Sequence, residues 1–315
     1  MRNVGLFIAL FVSTSIVFAS SDQFANTELH DKRWIHGSED CAVNTDPPIE
    51  IFQFDTSSYI LRQNKCLSFE APFVYVLFGE TKVLVLDTGA TDDPADYPLY
   101  ETVISLLEKH SKQDSNQAKT ILVLHSHSHG DHHAGDSQFE GKPNVTIIKP
   151  NHVAVTELFG SSEASNEQIQ VYLGARALTI FPTPGHQEEA ITIYDPQTKW
   201  LITGDTLYPG YIYVKNWKTY KKSITRMATF ARNHEISAVL GAHIEMTLNL
   251  GKHYPIGALF QPNEASLVLP VEDLFALDAK LQNTKKSKIV FDRFVIAPMS
   301  AFQKMLSRAA KALVN

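Results

Sequence analysis

Apolar runs of four to six residues recur along the chain between polar breaks: Phe73 to Phe78, Lys82 to Asp87, Thr120 to Leu124, Val145 to Lys149, Leu178 to Phe181, Ala190 to Tyr194, Trp200 to Thr203 and Ala238 to Gly241. Their length and composition predict strands. Between them Tyr100, Val103, Leu107 and His110 fall at helical spacing, as do Tyr220, Ile224, Met227 and Ala231, each set with a polar opposite face. Strands interleaved with helices predict an α/β layered domain in which helices cover sheets. We place this domain at residues 49–250. A polar stretch at 20–48 is expected to be poorly ordered. From about Gly251 to Val290 the pattern weakens, and residues 251–315 are expected to form an extension packed on the domain. It ends in a helix from about Ser300 to Leu313, rich in Ala and Lys, behind Pro298.

Composition narrows the function classes. The 315 residues are 44% apolar and 20% charged, which suits a soluble globular protein and excludes disorder and collagen-like structure. The formal charge of −6, from 34 acidic and 28 basic residues, supplies no basic footprint for a phosphate backbone, so no nucleic-acid partner is expected. Met1-Arg2-Asn3 and the apolar run Val4 to Ala19 have the form of a cleaved secretory signal at 1–19. The run falls short of the roughly 20 apolar residues that span a bilayer. The expected destination is therefore secreted or periplasmic, without stable membrane association after cleavage. In such an oxidising compartment Cys41 and Cys66 can pair, closing a loop worth roughly 3 kcal/mol; two buried free thiols are the alternative.

The thirteen histidines are not spread evenly. His125-Ser126-His127-Ser128-His129-Gly130-Asp131-His132-His133 directly follows the apolar run Ile121 to Leu124. A strand-exit loop is thus loaded with imidazoles and a carboxylate, ligands that suit zinc and related divalent metals. His127 and His129, two apart in an extended segment, can point to one side, with Asp131 and His132 turned the other way. Three further apolar runs end in a tight turn presenting His or Asp: Thr183-Pro184-Gly185-His186, Thr203-Gly204-Asp205 and Gly241-Ala242-His243.

On these motifs the chain resembles the metallo-β-lactamase fold superfamily of metallo-hydrolases. Its H-x-H-x-D-H hallmark stands here as His127 to His132 and fits in one register only. Leu86-Asp87-Thr88-Gly89 resembles the family's first motif, and the likeness runs from about residue 55 to 250. The resemblance implies an αββα four-layer sandwich. It implies that His127, His129 and His186 bind one metal, that Asp131, His132 and His243 bind a second, and that Asp205 bridges them. Asp87 would orient the metal loop from behind, and His125 and His133 are extras that the motif does not require.

Two divalent cations sharing a hydroxide, most suitably zinc with iron or manganese also tolerated, imply hydrolysis with Asp131 accepting a proton. No G-x-S-x-G elbow suggests a serine nucleophile. True β-lactamases of this superfamily commonly have Cys, Ser or no ligand where Asp205 stands. An Asp there resembles the pattern of glyoxalase II-like thioesterases, lactonases and phosphodiesterases. Tyr208, three positions past Asp205, resembles the arrangement of acyl-homoserine lactonases, where the hydroxyl helps hold the substrate carbonyl oxygen. Tyr211, Tyr213 and Trp217 continue an aromatic loop that either lines an apolar acyl pocket or packs as core for a helix beginning near Lys218. The expected protein is a secreted or periplasmic dinuclear hydrolase of a small carboxylic ester, lactone or thioester. A β-lactam hydrolase, a phosphodiesterase and a non-catalytic metal-binding protein are the alternatives.

Overall fold

The computed structural model describes residues 21–111, 119–160 and 168–305. The signal-like segment 1–19 lies outside the described residues, as does the expected C-terminal helix beyond residue 305. Residues 301–305 of that helix are helical.

Six strands form a first sheet in chain order: β1 (Ile49–Gln53), β2 (Ser58–Gln63), β3 (Phe73–Phe78), β4 (Lys82–Leu86), β5 (Thr120–Leu124) and β6 (Val145–Ile147). A second sheet comprises β7 (Ile169–Tyr172), β8 (Ala177–Pro182), β9 (Ile191–Asp195), β10 (Trp200–Gly204), β12 (Ala238–Gly241) and β13 (Val268–Leu269), in the order β13-β12-β10-β9-β8-β7. The remaining strands, β11 (Tyr211–Val214), β14 (Ile289–Val290) and β15 (Val295–Pro298), make a small third sheet.

Alternation along the strands builds the layers. In β3, Phe73, Tyr75 and Leu77 face the second sheet, where they meet Ile180, Ile193, Trp200 and Ile202 in one core. Val74, Val76 and Phe78 point the other way, against Val103 and Leu106 of helix α2 (Leu99–Ser111). The outer face of the second sheet, including Phe181, Leu201 and Val239, is covered by Tyr220, Ile224 and Met227 of α4 (Trp217–Ala231). Leu274, Leu277 and Leu281 of α5 (Val271–Asn283) join the same core. The result is helix, sheet, sheet, helix, with both sheets apolar on two faces because each is sandwiched. The remaining helices are α1 (Ser21–Asp31) and the short α3 (His152–Leu158).

The stretch at 20–48, expected to be poorly ordered, is tied down instead. It holds α1, and Leu29 and Trp34 are buried in the core between the sheets. The Trp34 ring meets Phe73 edge-on at 4.8 Å. Cys41 and Cys66 form a disulfide, so the free-thiol alternative falls. Composition misleads here because two apolar anchors and one covalent bond order a segment that has no periodic apolar face.

Candidate metal centre

The strand ends bring the site together. β4 and β5 run parallel and pair Leu86 with Leu124, so the residues that follow, Asp87 and His125, leave the same edge of the first sheet. β10 and β12 are also parallel and deliver Asp205 and His243 from the second sheet. A register shift between Ile202 and Gly204 re-aims the end of β10. Gly204 has φ +51°, and a Cβ there would lie 2.5 Å from Cβ of Ser126, so glycine lets the two sheets' loops touch. His186 arrives after β8, through a turn in which Gly185 packs against the Tyr220 backbone.

All seven expected ligand residues converge, in two groups. One ligand atom each from His127, His129, His186 and Asp205 lies within 4.8 Å of the others, and Asp131, His132 and His243 do the same. In the first group His127 Nε2 and His186 Nε2 stand 3.0 and 3.1 Å from His129 Nδ1. In the second, Asp131 Oδ2 is 3.2 Å from His132 Nε2 and 3.3 Å from His243 Nε2. Asp205 stands between the groups. Its Oδ2 faces His127 and His186 at 3.7 and 3.6 Å, and its Oδ1 faces His132 and His243 at 3.8 and 3.4 Å.

Hydrogen bonds behind the rings fix which nitrogen faces inward. His132 Nδ1 bonds Asp87 Oδ2 at 2.8 Å, His186 Nδ1 the Tyr213 carbonyl at 2.8 Å, and His243 Nδ1 the Glu70 carbonyl at 2.9 Å. His127 Nδ1 meets Ser126 Oγ at 3.1 Å, and that hydroxyl donates onward to Asp87 Oδ2 at 2.8 Å. An Nδ1–H that donates backward leaves Nε2 as a lone pair, so four imidazole lone pairs and two carboxylates are aimed at one another. The buried Asp205 Oδ1 has no hydrogen-bond partner. A convergent set of acceptors with an orphaned carboxylate oxygen fits divalent cations and leaves few other ways to be satisfied.

The electrostatics agree. Burial and the neighbouring imidazoles of His132, His129 and His186 hold His127 well below the usual histidine range. Burial, then His186, lowers His129 to about 3, and burial lowers His186. Burial opposes charge on His132 and His243 as well, yet carboxylates outweigh it. Asp131, Asp87 and Asp205 keep His132 well above its usual value, and Asp205 and Asp131 push His243 up to about 9. Asp131 and Asp205 stay ionised despite burial because His132 and His243 face both. The positive charge these carboxylates demand is one that a cation supplies as well as a proton does.

A family model described as the metallo-beta-lactamase superfamily matches residues 68–243. The chain belongs to the metallo-β-lactamase superfamily. It is accordingly a metal-dependent hydrolase. It is similar to the acyl-coenzyme A thioesterase MBLAC2 of Bos taurus, 24% identical over 191 residues, which are 52% of this chain and 67% of that protein. It is also similar to the hydroxyacylglutathione hydrolase of Legionella pneumophila (strain Lens), 32% identical over 95 residues, 30% of this chain and 36% of that enzyme. Among solved structures, TMB-1 aligns over 76% of this chain and 99% of its own with 15% identity and a TM-score of 0.49. DIM-1 metallo-β-lactamase aligns over 77% of this chain and 100% of its own, with 14% identity and a TM-score of 0.49.

The remaining expected residues divide. Asp87 sits behind the loop, accepting from the Ser126 backbone N–H at 2.6 Å as well as from His132. The hydroxyl of Tyr208, expected to hold a substrate oxygen, is engaged elsewhere, 3.2 Å from Glu245 Oε2 and 3.3 Å from the Tyr211 carbonyl oxygen. Its buried ring stands 5.6 Å from that of His243. Tyr211 and Tyr213 lie on a strand rather than a loop; Trp217 opens α4 and packs on its core. His125 is buried and clamped between Asp136, at 2.8 Å, and the Ile148 carbonyl.

Several contributors escape sequence reasoning. Gln187 abuts His129, and Lys215 donates to Gln187 and Glu188. Ser128 donates to the buried Glu189. The run Gln187-Glu188-Glu189 directly after His186 is a signal that could have pointed to the first of them, but it was not read. The carbonyls of Glu70 and Tyr213 carry no side-chain signature.

Proposed function

We propose that the chain is a dinuclear hydrolase of small carboxylic thioesters, with esters and lactones as related substrates. The single observation that carries this reading is the placement of Asp205, one oxygen toward each half of the donor set, with Oδ1 buried and otherwise unpartnered. His127, His129, His186 and Asp205 would hold one divalent cation; Asp131, His132, His243 and Asp205 would hold the other. Two such ions, zinc in our reading, bring water toward ionisation near neutral pH and polarise a substrate carbonyl.

The chain's own residues do the rest. Asp131 is the carboxylate an incoming water reaches, with 19% of its side chain exposed against 8% for Asp205 and 2% for Asp87. It takes the proton there and returns it to the leaving group. His127 and His132, almost fully enclosed, keep bulk water from competing for the carboxylates. Asp87, behind the loop, holds the inward nitrogens in place through His132 Nδ1 and the Ser126 hydroxyl.

The thioester preference draws on the relatives, a thioesterase and a hydroxyacylglutathione hydrolase by name. Export, read from the first nineteen residues, is supported by the Cys41–Cys66 disulfide, a bond that persists in oxidising compartments. No helix among the described residues is long and apolar enough to cross a membrane. The test is a panel on zinc-reconstituted protein: acyl thioesters, lactones, β-lactams and bis(p-nitrophenyl) phosphate side by side. Thioester turnover should lead; a phosphodiester or β-lactam cleaved faster than every acyl substrate would replace the reading.

A further inference from the structure

Four of the inward-facing histidines have their Nδ1 held by an acceptor, and three of those acceptors are rigid by placement. Ser126 lies on the metal loop itself, Asp87 directly follows β4, and Tyr213 lies within β11, which pairs with β15 along its whole length. The fourth, the Glu70 carbonyl that holds His243, belongs to residues 64–72, a connection between β2 and β3 with no helix or strand of its own. Within it Ala71 adopts φ +40°, a conformation that a residue with a Cβ keeps only where its surroundings impose it.

The imposing surroundings come from the N-terminal segment. Cys66 is joined covalently to Cys41. The Asn64 amide donates to Asn44 Oδ1 at 2.9 Å and to the Pro47 carbonyl at 3.1 Å, while Asn64 Oδ1 accepts from the Cys66 N–H at 2.8 Å. Lys65 Nζ closes the turn onto the Phe69 carbonyl at 2.7 Å. Cys41 and Cys66 both precede residue 68, where the match to the superfamily begins.

We propose that the Cys41–Cys66 disulfide is a positioning element for His243: it braces residues 66–70 so that the Glu70 carbonyl keeps His243 Nε2 turned toward Asp131 and Asp205. Three residues separate Cys66 from Glu70, too few to absorb movement at one end without passing it to the other. The effect is one-sided. His186, on the far side of Asp205, is held through β11 and has no such dependence. This inference rests on reading Asp131, His132 and His243 as the ligands of one ion.

The experiment is a zinc titration against a competing chelator on the full chain, comparing wild type with the Cys41→Ser, Cys66→Ser double variant. Loss of an outer partner of a ligand weakens metal binding by about 10- to 100-fold. The variant should therefore surrender one zinc at about tenfold lower chelator while holding the other as wild type does. Leu281→Ala, buried in α5 away from the site, controls for general loosening and should leave the two zinc ions in their wild-type order. If the double variant does not fold, zinc-loaded wild type is treated with a water-soluble phosphine. Disulfide, phosphine and one water then become two thiols and a phosphine oxide, and the same selective loss is expected. Unchanged affinity for both ions, or parallel weakening of both, overturns the inference and leaves the proposed function standing. Wild-type protein that takes up no zinc overturns both.

Discussion

Asp87 and His132 are bound to each other across two motifs that lie 45 residues apart in the chain, with Oδ2 of the aspartate 2.8 Å from Nδ1 of the imidazole. Asp87 makes this contact from a left-handed backbone position, φ +69°, which aspartate tolerates better than most residues. The same carboxylate takes the Ser126 N–H and hydroxyl, so one buried acid sets the entrance of the metal loop and the ring that ends it.

Replacing Asp87 with Asn keeps the size and the tolerance for that backbone while removing one acceptor and the charge. We expect zinc affinity to fall by about 10- to 100-fold with the fold retained. Chelator competition beside a circular dichroism spectrum checks both halves of this expectation.

Asp131→Ala should abolish nearly all turnover with little loss of folding, because this side chain is the most exposed carboxylate of the cluster and is not packed in the core. Thermal midpoints within a few degrees of wild type, alongside thioester turnover near background, are the expected pair of results. Wild-type rates would remove Asp131 from proton transfer.

Tyr208→Phe deletes a hydroxyl that the structure engages with Glu245 and the Tyr211 carbonyl. Loss of one such hydrogen bond is worth about 1 kcal/mol, so rates should drop roughly two- to tenfold, and equally for lactones and thioesters. A loss confined to lactones would show that the hydroxyl leaves Glu245 to hold their carbonyl oxygen.

Lys65 gives a pH dependence. Burial, then Arg62, lowers its ammonium to about 8 from the ordinary lysine value of 10.5. Between these values the unfolded chain binds the extra proton, so stability rises with pH across this window. The difference between the two values corresponds to roughly 3 kcal/mol. Urea midpoints measured from pH 8 to 10.5 should climb for wild type relative to Lys65→Met; parallel curves would contradict the burial of a charged Lys65.

The convergence of the candidate residues was legible in the sequence because they follow the ends of β5, β8, β10 and β12, where an apolar run leads into a loop or turn bearing His or Asp. The outer strands were less so. β2 hides behind Arg62 and Gln63, polar residues that are buried because Glu264 and Thr91 receive them. β11 passed for an aromatic loop, although Ile212 and Val214 are fully buried between the partly exposed Tyr211 and Tyr213, the period of a strand. Backbone carbonyls such as Glu70 have no sequence signal at all, since their role depends on where the chain passes.

Metal analysis of the zinc-reconstituted, desalted chain tests the central claim most directly, because the two halves of the donor set around Asp205 make sense together only if each holds an ion. Close to two zinc ions per chain is the predicted result. One ion or none, reproducibly and under zinc-replete conditions, would contradict it.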